Sequence, residues 1–111
     1  MKNFVQKGET VDFIAPTGGA AAGIPLVVGS LVVIPVLSVP EGYECVGTVE
    51  GVFNLPKLST DTPGQFGKAY WDATNGYVTT TATDNTEIGV FMEALASGTT
   101  EADVRLNGVA V

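Results

Sequence analysis

Residues 24–39 (IPLVVGSLVVIPVLSV) constrain this chain more than any other segment, because they run for 16 positions without a charge. A helix needs about 20 apolar residues to cross a bilayer. This run is shorter, carries Pro25, Gly29, Ser30, Pro35 and Ser38, and has no flanking Lys or Arg pair to orient it. The start, Met-Lys-Asn-Phe, has no apolar core segment of the secretory kind. A soluble protein made in a cytoplasm is therefore expected. The run reads instead as two strands separated by Gly29-Ser30. Pro35 has no N–H, which predicts an edge strand or a bulge at that point. Apolar residues on both faces require that the outer face be covered. In so short a chain, another subunit is the expected cover.

The remaining sequence is punctuated in the same way. Residues 10–14 alternate apolar and polar, as a strand does. Residues 16–23 (PTGGAAAG) form an uncharged loop of small residues. It reads either as a flexible connector or as a loop that orders against a neighbouring subunit. It lacks the Lys-Ser/Thr ending of a phosphate-cradling loop. Residues 43–55 predict one long strand. Tyr43, Cys45, Val49, Phe53 and Leu55 share a face, with Gly47 and Gly51 in register to bend it. Residues 69–71 and 77–81 predict a hairpin around Asp72-Ala73-Thr74-Asn75-Gly76, with Asp72 capping the turn and Asn75-Gly76 supplying positive φ. Residues 87–95 fit both a strand and a helical stripe, and Gly89 with the β-branched residues favours strand. Residues 102–107 alternate as a last strand. About eight short strands at this spacing predict an all-β chain, a small single-domain β-barrel or sandwich covering residues 1–111. Residues 1–6 form a possible N-terminal arm.

Composition then narrows the function. Hydrophobic residues make up 45% of the 111 and charged residues 15%, which argues against disorder. Twelve acidic residues face five basic ones, for a net charge of −7. The cations Lys2, Lys7, Lys57, Lys68 and Arg105 are scattered, so neither nucleic acid nor an anionic membrane is an expected partner. There is no histidine, the commonest general base and metal ligand. Cys45 stands alone in a Val-rich setting and reads as a buried small hydrophobe. Glu44 and Glu50 share a strand face but lie about 20 Å apart, too far for an acid–base pair. Asp84, Asn85 and Glu87, near Asp72, lack the spacing of a calcium loop and read as solvated turn residues. Tyr70, Trp71 and Tyr77 could line a sugar-binding face, although aromatics beside a hairpin more often pack in the core. A hydrolase using Ser and Lys57 or Lys68 has no local signature. No cofactor, metal or catalytic residue is expected.

Several segments, in order, resemble a family of small tailed-phage proteins encoded with the major capsid genes. These are residues 1–6 (MKNFVQ), 50–57 (EGVFNLPK), 69–72 (AYWD) with Asn75-Gly76, 88–90 (IGV) and 104–108 (VRLNG). No single piece is a chemical signature, and the likeness lies in their order and spacing. Some members carry the label "phage-associated recombinase". That label finds no support in these residues, because Gly67-Lys68 is followed by Ala69 and no α/β pattern is present. The resemblance implies a capsid decoration, or cement, protein. Such a protein binds the major capsid protein on the outside of an expanded head and holds neighbouring capsomers together, often as a homotrimer. The expected location is then the virion surface. Capsid or subunit contacts are expected from Lys2, Asn3, Phe4, Val5 and Gln6 of the arm and from Thr17, Gly18 and Gly19 of the loop. The apolar outer face of residues 26–39, with Val32 and Ile34 on it, is the expected subunit interface. The competing reading is a virion-associated carbohydrate-binding module using Tyr70, Trp71 and Tyr77.

Overall fold

The computed structural model describes residues 10–107, which form nine β-strands and no helix. The expected arm lies outside the described residues. The strands form two antiparallel sheets, in two compact units that meet in sequence between Val49 and Glu50. Each is described in turn.

The first unit orders its strands β1-β4-β3-β2. β1 is Thr10–Ile14, β2 Leu26–Val28, β3 Leu31–Pro35 and β4 Glu44–Thr48. β2 and β3 are the two strands expected from residues 24–39, turning at Gly29-Ser30. Their placement corrects one expectation: β3 lies inside the sheet, between β4 and β2. It tolerates Pro35 as its last residue because of register. The Val36 N–H donates to the Val46 carbonyl, so the backbone groups of Pro35 point away from β4. Its carbonyl accepts from Gly23 N–H at 3.0 Å, and the missing N–H leaves no rung broken. Ala15, Ala20 and Cys45 form a small buried cluster, with Phe13, Leu26 and Val39 packed against it. Cys45 is a buried hydrophobe, as its surroundings predict. Gly47 is required by space: a Cβ there would stand 2.8 Å from Val33 Cβ and 2.9 Å from a ring carbon of Phe13.

The second unit orders its strands β5-β9-β8-β6-β7. β5 is Glu50–Pro56, β6 Lys68–Asp72, β7 Tyr77–Thr79, β8 Thr86–Phe91 and β9 Glu101–Asn107. The predicted long strand over residues 43–55 is therefore two, β4 and β5, in different sheets. The break falls at Val49, and Gly51 just beyond it adopts φ +121°. β8 settles the ambiguity over residues 87–95 in favour of strand, but only as far as Phe91. β9 alternates as expected, with Ala102, Val104 and Leu106 inward and Glu101, Asp103 and Arg105 outward. With Leu55, Ala69, Trp71, Val78, Ile88 and Phe91 these residues build the core of this unit. Burying each large aliphatic or aromatic side chain among them contributes about 1.5–3 kcal/mol. Gly89 permits the β8–β9 pairing, since a Cβ there would fall 1.8 Å from the Arg105 carbonyl oxygen.

The two edges of this sheet meet at one corner. Lys57 bridges to Val78, and Leu58 N–H donates to the Val78 carbonyl at 3.0 Å. Lys57 is only 4% exposed, and its Nζ donates to the carbonyls of Leu58 and Asp61 at 2.7 and 2.8 Å. The Asp61 carboxylate in turn accepts from Thr79 Oγ1 and from Thr80 N–H.

Candidate interaction surface

The Gly-rich loop is neither a loose connector nor a segment awaiting a neighbour to order it. Ala20 and Val39 exchange two backbone hydrogen bonds at 2.9 and 3.0 Å. Gly18 N–H donates to Glu41 Oε1 at 3.2 Å, and Ala22 N–H donates to Ser38 Oγ at 2.9 Å. The loop is laced to residues 35–41 of its own chain because small residues let its backbone approach closely enough to pair. Thr17 and Gly18 nevertheless stand exposed at its tip, and Gly19 is half-buried.

Val32 and Ile34 fall elsewhere than on the surface. They are 6% and 3% exposed, so the outer side of β3 is covered without a second subunit. The apolar groups left in solvent flank that strand instead: Val27 on β2, and Val36 and Leu37 just after β3. Lys2, Asn3, Phe4, Val5 and Gln6 lie outside the described residues.

The β1–β4 pair presents a second exposed group. Thr10 pairs with Thr48, Asp12 with Val46, and Ile14 with Glu44. Directly opposed residues point to the same face of an antiparallel sheet. The other face carries Phe13, Cys45 and Gly47 towards the buried cluster, so this one points outward. Ile14 is 58% exposed, and Asp12, Glu44 and Val46 are exposed beside it. Val36, which follows β3 and donates its N–H to the Val46 carbonyl, extends the row beyond the pair. The sequence reading separated these faces correctly but attached no function to the outer one. The signal was present: Ile14 and Val46 are apolar residues on a face otherwise polar.

The aromatic trio does not form a sugar platform. Tyr70 and Tyr77 share one face of the β6–β7 hairpin, while Trp71 points to the other and is 5% exposed. The open groove beside the hairpin, about 380 Å³, is lined by Asp72, Asn75 and Tyr77 among others. Asp72 is engaged there in the turn: its Oδ1 accepts from Thr74 and Asn75 N–H, both at 3.0 Å, and its Oδ2 from Asn75 Nδ2 at 2.8 Å. The capping role expected for Asp72 holds. Only Gly76 takes positive φ, at +76°, and Asn75 serves as a partner to Asp72 rather than as a left-handed residue.

No curated protein and no solved structure matches the chain. A family model described as "phage cement protein" matches residues 5–106, and with it the ordered segments that run the length of the sequence. On that match, over nearly its whole length, the chain belongs to the phage cement protein family.

Proposed function

We propose that this chain is a structural decoration protein that binds the outer surface of a phage head through the major capsid protein and stabilises contacts between capsomers. The observation that carries the reading is the family match over residues 5–106. The distribution of apolar surface supports it. Of nine large apolar residues exposed among the described ones, seven lie in residues 10–49: Ile14, Ile24, Val27, Val36, Leu37, Tyr43 and Val46. An exposed concentration of this kind marks an interaction surface. The chain acts as a homotrimer on the virion, after synthesis in the host cytoplasm. The arm residues 2–6 and the tip Thr17-Gly18-Gly19 touch the capsid or a sister subunit. Because Val32 and Ile34 are buried, the subunit contact passes to their exposed neighbours Val27 and Leu37.

Electron microscopy of heads with and without the protein tests the reading. Added density on the outer surface, with heads more resistant to heat or chelator, is the expected result. Heads that never take up the purified protein would remove it. Deleting residues 1–6 tests the arm separately, through reduced binding to undecorated heads.

A further inference from the structure

We propose that the outward face of the β1–β4 pair docks an extended, basic segment of the capsid protein, with two cations at positions i and i+2. This rests on the decoration reading above and names the partner chemistry. The face carries Ile14, Val46 and Val36, with Asp12 and Glu44 set among them. Asp12 lies beside Val46 and Glu44 beside Ile14, so the carboxylates occupy one diagonal of the pair and the apolar side chains the other. Diagonal neighbours on an antiparallel pair are about 7–8 Å apart. Same-face side chains two residues apart on an extended chain are separated by about 6.6 Å. Two such cations therefore reach both carboxylates at once. Their methylene stems lie over Ile14 and Val46, as long basic side chains do on apolar surface.

Charge selects this occupant. The five cations of the chain are Lys2, Lys7, Lys57, Lys68 and Arg105, so residues 10–49 contain Asp12, Glu41 and Glu44 and no positive side chain. Neither the Asp12 nor the Glu44 carboxylate has an ion-pair or hydrogen-bond partner among the described residues. The same face of a second copy would set like charges against one another, with −7 on each chain behind them. A basic strand or loop is the complementary surface. Opposed charges of this exposed kind mainly set the encounter rate and its salt dependence, while the apolar row slows release.

The test uses undecorated heads from the phage that encodes the chain and labelled full-length protein at low and high salt. Wild type is expected to bind and to weaken as salt rises. Asp12→Lys with Glu44→Lys is expected to bind about tenfold more weakly at low salt and to recover as salt rises, the reverse of wild type. Ile14→Ser with Val46→Ser is expected to bind about tenfold more weakly at every salt concentration. Circular dichroism checks that each variant folds, and the charge reversal, at exposed positions, decides if the serine pair does not. Wild-type binding that both pairs leave unchanged overturns the inference and leaves decoration standing. Loss of the salt response in Lys2→Glu with Lys7→Glu, but not in the face variants, assigns the occupant to this chain's own arm and also overturns it. Wild type that does not bind heads removes the decoration reading and the inference together.

Discussion

Asp72 illustrates how single residues carry local structure here. The side-chain amide of Asn75 and then its backbone N–H hold the Asp72 carboxyl below the ordinary carboxylate range; slight burial opposes this, and Thr74 N–H adds to it. A carboxyl whose folded pKa lies below its unfolded one stabilises the fold above the unfolded pKa. That contribution is lost as pH falls through the folded value. The hairpin is therefore expected to weaken on acidification below the usual carboxylate range, and Asp72→Asn to show a flatter loss there. Carbon NMR of the Asp72 carboxyl gives the direct reading, and a midpoint at or above that of an Asp in a short peptide would contradict it. Gly89 shows a steric requirement instead. Gly89→Ala places a methyl against the Arg105 carbonyl, which is backbone and cannot rotate aside. A loss of about 3 kcal/mol or more is expected in denaturant unfolding. Gly76→Ala meets open space and incurs only its left-handed φ, about 1–2 kcal/mol.

Among the elements, the corner of the second sheet depends most on one side chain. Lys57 joins β5 to the loop that holds Asp61, and Asp61 holds β7 through Thr79 and Thr80. Lys57→Met keeps the stem but leaves two partly buried carbonyls without their donor. A loss of about 1–3 kcal/mol is expected, with faster amide exchange at Leu58 and Thr80; unchanged exchange would place the closure elsewhere. Nothing in the sequence around Lys57 announced this role, because its partners are main-chain oxygens, which every residue supplies. Strands were legible where one periodicity acted alone, as in β1 and β9. The 43–55 run misled because alternation continues through Val49 while the hydrogen-bonding partners change, from β1 and β3 to β9. Period 2 records which face a side chain takes and carries no information about which sheet it joins. The apolar run misled in a related way. Two-faced hydrophobicity correctly announced burial of β3, but burial of Val32 and Ile34 looks the same in sequence whether the cover is the same chain or another.

For the whole molecule, the decoration reading proposed above requires that a chain of 111 residues with 15% charged side chains hold a capsid surface. A patch the size of a few strands yields modest affinity, because much of its binding energy offsets lost rotational and translational freedom. Joining three such patches makes the second and third contacts intramolecular, and avidity then exceeds single-site affinity by about 10²–10⁴. The proposed homotrimer would thus convert an exposed apolar unit into a clamp without any new chemistry. The candidate subunit contacts, Val27 and Leu37, are exposed and lie among uncharged residues 24–39, where copies of an acidic chain meet with least repulsion. Val27→Glu with Leu37→Glu brings two carboxylates per subunit into that contact. Light scattering is expected to show a trimer for wild type and a monomer for the pair. Head occupancy is expected to fall about a hundredfold or more, although the β1–β4 face is untouched. A monomeric variant that decorates heads as tightly as wild type would mean that one subunit's contacts suffice. A wild type that stays monomeric at high concentration, free and on heads, would exclude the clamp.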